Sequence, residues 1–137
     1  MSAENIAIAR RWFEEVWNQR RAETIDELVT PDSLCYTDNG VIRGADEFRQ
    51  QMYEPFLAAF PEIVIQVEDA IGQGDHVVVR WTAAAKHAGA GLGFASTGRD
   101  VQFRGLTWVQ IRDGKFGVGW QSSNIPEVVR GLSLPQE

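Results

Sequence analysis

The chain has 137 residues, 44% of them hydrophobic, and a formal net charge of -6. This length and composition predict a single globular domain spanning residues 1–137. The acidic excess argues against binding to nucleic acid, which requires a clustered basic surface. The N-terminus lacks a basic start followed by an apolar run, and charged residues interrupt the longer apolar stretches. These features argue against a signal peptide or a membrane span and predict a cytoplasmic protein.

The first third of the chain is predicted to form two helices and a short strand. An amphipathic helix is expected over residues 5 to about 19, because apolar residues recur there at helical spacing. These residues are Ile6, Ala9, Phe13, Val16 and Trp17. A second helix is predicted over residues 22–29 and ends before Pro31, since a residue that precedes proline is disfavoured in the α region. A strand over residues 34–37 follows and leads into a turn at residues 38–40.

The middle of the chain is predicted to contain one interrupted helix and one strand. The helix covers residues 45 to about 60, and Pro55 should kink it because proline lacks the backbone N–H and fixes φ. An apolar run predicts a strand over residues 63–68. Cys35 is the only cysteine, so no internal disulfide can form and we interpret this residue as a packing residue.

Three long strands joined by turns are predicted in the second half. They cover residues 76–87, 100–112 and 115–124, and the dipeptide Asp113-Gly114 is a strong hairpin signal between the last two. Helices first, with one short strand among them, and then four strands predict an α+β fold. In this fold a curved antiparallel sheet wraps around the N-terminal helix and encloses a pocket.

Five short stretches, in order between about residue 6 and residue 132, are similar to one known family. They are Thr30-Pro31-Asp32, Arg43-Gly44, Ala59-Phe60-Pro61-Glu62, residues 74–82 (GDHVVVRWT), and a series made of residues 86–89, 97–99, 103–105 and 113–115. They resemble the SnoaL-like polyketide cyclase family of the nuclear transport factor 2-like superfamily. The resemblance implies a cone-shaped α+β barrel with a deep, largely apolar pocket, and many members are homodimers.

The resemblance also implies a chemistry. The best characterised members close a polyketide ring by intramolecular aldol condensation, without a metal or organic cofactor. This reaction needs a base that removes a proton beside a carbonyl, and donors that stabilise the enolate. In those members an aspartate transfers the proton, four positions after a tryptophan on the last strand. Here Trp120 is followed at that position by Asn124, whose amide donates hydrogen bonds but does not exchange a proton near neutral pH.

Two further candidates come from the resemblance. His87 matches the strand-end histidine of the family and is the remaining candidate for proton transfer, since an unperturbed imidazole titrates at about 6.5. Tyr36 stands at or next to a position where the family often has a histidine, and a phenol can hydrogen-bond a substrate oxygen. A zinc site is disfavoured, because His76 and His87 fall on opposite faces of one predicted strand.

The alternation of side chains along a strand predicts which of them face the pocket. On the first long strand Trp81 and His87 share the apolar face. On the last strand the predicted pocket face carries Phe116, Val118, Trp120, Ser122 and Asn124. Both faces of the middle strand are apolar, so Trp108 and Gln110 are also candidates for substrate binding. We expect one face of the sheet to cover the pocket and the other to meet a second subunit.

Each candidate also has a structural interpretation. Tryptophans fill cores and interfaces more often than they contact ligands. His87 is equally well explained as a hydrogen-bonded histidine at the end of a strand. Asn124 is equally well explained as the cap of a helix that begins near Pro126.

Three functions therefore remain open from the sequence. The first is a cofactor-free enzyme, a cyclase or a related isomerase or hydroxylase, that acts on a hydrophobic carbonyl-bearing small molecule. In it His87 transfers the proton, and Asn124 and Tyr36 orient the substrate. The second is a binding protein that keeps the pocket but has lost the chemistry, and the third is an interaction module that uses the outer face of the sheet.

Overall fold

The long N-terminal helix has the inward side that its sequence predicts. The computed structural model describes residues 2–134. Helix α1, Ser2–Arg11, continues as a π-helical segment, Trp12–Asn18. Four members of the predicted stripe are buried: Ala9, Phe13, Val16 and Trp17. Asn5 is also buried, and its Nδ2 donates to the carbonyl oxygen of Gly74 at 3.2 Å, which satisfies the polar group.

A short helix and a hairpin follow. Helix α2 spans Glu23–Leu28, strand β1 spans Val29–Thr37 and strand β2 spans Gly40–Arg43. β1 begins earlier than the predicted residue 34. β2 was not predicted, because only Ile42 of its four residues is buried and so short a segment shows no alternation.

The predicted interruption of the next helix at Pro55 is confirmed. Helix α3, Gly44–Phe48, passes into a π-helical segment, Arg49–Tyr53, and then into α4, Glu54–Ala59. Pro55 lies in the first turn of α4, directly after the π-helical segment. The wider π turn accommodates a proline ring that would clash with the carbonyl one turn earlier in a regular α-helix.

Four strands and a terminal helix complete the described chain: β3, Val64–Gln73; β4, His76–Lys86; β5, Asp100–Arg112; β6, Lys115–Ser123; and α5, Ile125–Ser133. The bounds of β5 are those predicted. Asp113 and Gly114 have φ values of 50° and 74°, the positive values that a two-residue hairpin turn requires.

Within residues 2–134 the strands form one curved sheet of six strands that does not close, in the order β2-β1-β6-β5-β4-β3. Neighbouring strands are antiparallel except β1 and β6, which are parallel. The prediction of an α+β fold is confirmed, with this parallel pair as the exception to an antiparallel sheet. We call the face that packs against the helices the inner face, and the opposite one the outer face.

The hydrophobic core lies between the inner face and the helices. Its largest fully buried side chains include Phe60, Phe103, Ile25 and Ile111. In the described part of the chain, every helix is too short or too polar to cross a bilayer.

Candidate functional site

An apolar cavity of about 500 Å³ lies between the inner face and the helices. This volume falls within the usual range of small-molecule sites. Its apolar lining includes Trp12, Phe13, Trp17, Phe48, Met52, Phe56, Ile65, Trp81, Leu92, Phe94, Phe103 and Ile125. A smaller cavity of about 80 Å³ extends beneath β1 and β6. The two cavities share Trp12, Phe13, Phe48, Met52 and Gln121, so they form adjoining parts of one site.

A chain of three polar side chains crosses the sheet wall of this site. The Trp81 indole Nε1–H donates to Thr107 Oγ1 at 3.0 Å, and the Thr107 hydroxyl donates to Gln121 Oε1 at 3.4 Å. Thr107 and Gln121 stand directly opposite each other on β5 and β6. Gln121 is thus the polar group where the two cavities meet.

Four exposed residues supply further polar lining of the larger cavity. Asn39 from the β1–β2 turn, Gln51 from the π-helical segment after α3, and Arg130 and Ser133 from α5 contribute to it. Cys35 lines the smaller cavity, and burial raises the pKa of its thiol to about 11. Among the described residues that line either cavity, Cys35 and Arg130 are the ionisable ones.

His87, the predicted proton-transfer group, lies behind the cavity wall rather than in it. Its side chain is fully buried between the rings of Phe60 and Phe94, with ring centroids 5.6 and 5.4 Å away. Nδ1 accepts the backbone N–H of Thr97 at 3.2 Å. Neutral His87 therefore carries its proton on Nε2, and Nε2 has no hydrogen-bond partner among the described residues. Burial, and then the charge of Arg99, lower the pKa of the imidazole.

His87 instead anchors residues 88–98, the loop whose Leu92 and Phe94 line the cavity. Its backbone N–H donates to Arg99 O, and its carbonyl accepts from Gly98 N–H, both at 2.9 Å, so these bonds close the loop at its base. The N–H groups of Ala88 and Gly89 donate to a carbonyl at the end of α4 at 3.0 and 3.1 Å. The loop is thereby docked over the cavity.

Asn124, the second predicted catalytic residue, is held by the backbone of β5. Its Oδ1 accepts the N–H of Arg104 at 2.8 Å, and its Nδ2 donates to the carbonyl of Gln102 at 3.4 Å. It immediately precedes α5 but makes no side-chain cap bond. Asn124 therefore occupies the predicted cap position of α5, but its side chain bonds the backbone of β5 instead of the first turn of the helix. Asn124 lines neither cavity, but it lines two open grooves together with outer-face residues such as Thr82.

The prediction that Trp120 lies on the pocket face of β6 is wrong. Val109 pairs with Gly119 and Ile111 pairs with Phe116, so β6 carries one extra residue between these pairs. Such a bulge reverses the alternation of side chains. Gly119 and Gln121 consequently face inward and line the cavity, while Trp120 points outward.

The outer face carries most of the other predicted binding residues. Tyr36, Trp108 and Trp120 are between 41% and 48% exposed there. The Trp120 ring lies 6.4 Å from Tyr36 and 5.5 Å from Trp108 between centroids, and Trp108 Nε1–H donates to His76 Nδ1 at 2.9 Å. Gln110 shares this face, with its side-chain amide beside the guanidinium of Arg112. Trp81 alone among the predicted site residues lines the larger cavity.

Sequence reasoning missed Gln121, Thr107 and Asn39. A signal for Gln121 was present, because glycines inside a strand pattern often mark a bulge, and β6 contains Gly117 and Gly119. Asn39 was assigned only to a turn, and nothing in its local sequence places that turn beside α5.

Known proteins resemble this chain in sequence and in fold. The sequence model of the SnoaL-like polyketide cyclase family matches residues 7–130. No curated protein is similar enough in sequence to count as a relative. A candidate SnoaL-like polyketide cyclase from Jannaschia sp. CCS1 superimposes with a TM-score of 0.86 at 22% identity, covering 98% of this chain and 95% of that one.

Two structures from Streptomyces are also similar. AclR from Streptomyces galilaeus, a candidate hydroxylase, has a TM-score of 0.83 and 27% identity over 100% of this chain and 86% of its own. IdmH from Streptomyces antibioticus, a candidate polyketide cyclase, has a TM-score of 0.80 and 23% identity over 95% of this chain and 99% of its own. The family match covers most of the sequence and the fold agrees with it, so this chain belongs to the SnoaL-like polyketide cyclase family.

Proposed function

We propose that this protein binds a hydrophobic, carbonyl-bearing small molecule in the cavity between the sheet and the helices. The observation that carries the proposal is the lining, which is apolar except for Cys35, Arg130 and a few amide and hydroxyl groups, with Gln121 at the junction of the two cavities. Buried apolar surface supplies affinity in such sites, and a small number of polar groups fix the orientation of the ligand.

The lining supports binding more directly than proton transfer. Its amide and hydroxyl groups donate or accept hydrogen bonds but do not take up a proton near neutral pH. The Cys35 thiol, with its pKa raised to about 11, is protonated under the same conditions. The geometry therefore favours a binding protein of this fold over an enzyme.

Membership of the family favours a second candidate, a cofactor-free cyclisation or isomerisation of the bound molecule. In this version His87 remains the proposed proton-transfer group. Phe94 stands between the imidazole and the cavity, because it contacts His87 and also lines the cavity. Movement of the loop at residues 88–98 would then be part of the reaction.

A matched pair of variants tests binding. Ala83 is buried on the inner face and lines the larger cavity, whereas its neighbour Ala84 is exposed on the outer face. We expect Ala83→Phe to reduce the affinity for 9-fluorenone, a rigid aromatic ketone, at least tenfold by isothermal titration calorimetry. Ala84→Phe should leave it unchanged. Equal affinities in the two variants would contradict binding in this cavity.

Turnover separates the two candidates. Liquid chromatography coupled to mass spectrometry, after incubation with linear poly-β-ketone substrates, detects either an isomer of the substrate with a new retention time, from aldol addition, or a product lighter by one water, from subsequent dehydration. A binding protein returns the substrate unchanged. An enzyme that uses His87 forms the product, loses this activity in His87→Gln and keeps its affinity for the substrate.

The proposed partner of the outer face is a second copy of the chain. Tyr36, Leu106, Trp108 and Trp120 expose a contiguous apolar surface there, of a kind that marks interaction sites. Analytical ultracentrifugation of Trp120→Glu should give a monomer where the unmodified protein gives a dimer. Val64→Glu, an exposed apolar position at the far end of β3, is the control that keeps the dimer. A monomeric unmodified protein contradicts this part of the proposal.

A further inference from the structure

We propose that Trp81 and Thr107 are positioning residues that hold the Gln121 amide with its NH₂ group free for the ligand, so that the cavity selects molecules by a hydrogen-bond acceptor. The acceptor is a carbonyl or carboxylate oxygen. This inference rests on the proposed binding function and assigns the residues that give it specificity.

The direction of the hydrogen bonds follows from their chemistry. An indole Nε1–H only donates, so Thr107 Oγ1 accepts from Trp81. The hydroxyl has a single hydrogen, and it points to Gln121 Oε1 at 3.4 Å. This bond engages one lone pair of the Gln121 amide oxygen and directs the amide so that both N–H groups on Nε2 are left for a ligand.

The surroundings of Gln121 make this orientation matter. Trp12, Phe13, Phe48 and Met52 line both cavities beside it. A ligand that excludes water here without offering an acceptor leaves the amide N–H groups unpaired, which is costly in an apolar environment. A ligand that presents its own N–H group to the Gln121 N–H groups places donor against donor, so its affinity is lower still.

The three side chains are held by the sheet rather than by loops. Thr107 faces Gln121 across the β5–β6 ladder. The bulge in β6 turns Gln121 inward, and Gly105 leaves the space in which the Trp81 indole lies against β5 and bonds Thr107. Groups on paired strands keep their geometry better than groups on loops.

Three tricyclic probes of almost the same shape test the proposal. 9-Fluorenone offers a carbonyl acceptor, fluorene offers a methylene group and carbazole offers an N–H donor at the same position. Calorimetric titration of the unmodified protein should give the affinity order fluorenone, fluorene, carbazole, with about tenfold between the first and the last.

Substitutions separate positioning from general stability, because the readout is the affinity ratio of fluorenone to carbazole. Thr107→Val removes the hydroxyl that orients the amide and should lower the ratio to about threefold or less. Thr107→Ser keeps the hydroxyl and should restore it. Thr82→Val is the control, since it removes a hydroxyl that bonds Glu68 on the outer face.

A second measurement does not depend on the folding of a variant. In ¹H–¹⁵N spectra of the unmodified protein, the Gln121 side-chain NH₂ signals should move downfield with fluorenone and not with fluorene. Equal affinities for all three probes, an unchanged ratio in Thr107→Val, or NH₂ signals that do not respond would each overturn the positioning role while leaving cavity binding intact. Failure of all three probes to bind would contradict the proposed function and this inference with it.

Discussion

The indole of Trp81 lies against the backbone of Gly105, on the strand next to its own. A β-carbon built on Gly105 would stand 2.4 Å from Trp81 Cζ2 and 3.0 Å from the Cβ of Ser123. The first distance is far below a van der Waals contact. The absence of a side chain at residue 105 therefore makes room for a tryptophan that forms part of the cavity wall.

We expect Gly105→Ala to displace Trp81, because a buried ring in a close-packed core has little space to move. The cost in the free energy of unfolding should be about 1–3 kcal/mol, as for other overpacked cores. Urea unfolding followed by circular dichroism measures it. Gly119→Ala is the control on the neighbouring strand, since the closest atom to its added carbon lies 3.4 Å away. Equal unfolding midpoints for the two variants would contradict this account.

Substitution of the glycines in the loop at residues 88–98 should destabilise the protein more than Gly105→Ala does. An added carbon would lie 1.8 Å from Ala58 O at Gly89 and 2.0 Å from Pro55 O at Gly91. Both contacts are with backbone, so the loop would have to leave α4, and we expect Gly89→Ala to cost about 3 kcal/mol. Gly131→Ala in α5 should instead stabilise the protein by about 0.5–1 kcal/mol, because nothing lies near the added carbon. Thermal unfolding of the two variants should shift in opposite directions, and a parallel shift would contradict the docked loop.

The sequence predicted the long elements better than the site. β5 has the predicted bounds because its alternation extends over thirteen residues and ends at a strong turn signal. The side of Trp120 was mispredicted, since one extra residue in β6 reverses every later position and alternation alone does not reveal it. His87 was placed correctly on the inner face, but its burial behind Phe94 depends on how the loop at residues 88–98 folds over it.

His87 should make the protein less stable in mild acid. Burial, followed by the charge of Arg99, lowers the pKa of the folded imidazole below its ordinary value of 6.5. The unfolded chain therefore takes up a proton as the pH falls through 6.5, while the folded protein does so only at lower pH. The free energy of unfolding should decrease across this window, by at most about 1.4 kcal/mol per pH unit.

Two histidine variants isolate this contribution. Below pH 6.5 the free energy of unfolding should fall less steeply with decreasing pH in His87→Gln, because the contribution of the imidazole to this slope is gone. This holds whatever the effect of the substitution on stability at neutral pH. His76→Gln alters the histidine that bonds Trp108 on the outer face and serves as the matched change. Urea titrations at several pH values measure both slopes. A slope that persists in His87→Gln and vanishes in His76→Gln would contradict this account, because it would locate the acid sensitivity on the outer face.

Cys35 should react slowly with alkylating reagents, since the thiolate is the reactive form and burial raises the pKa of this thiol to about 11. We expect the rate of modification by iodoacetamide, followed by mass spectrometry, to rise throughout pH 7.5 to 10 without a plateau. As Cys35 is the only cysteine, a single mass increase reports the reaction. The same chain unfolded in urea is the control and should react faster, with a rate that levels off near its ordinary pKa of 9.0. If the rate in the folded protein levels off below pH 9, the thiol is not buried beneath β1 and β6. The smaller cavity would then be open to solvent.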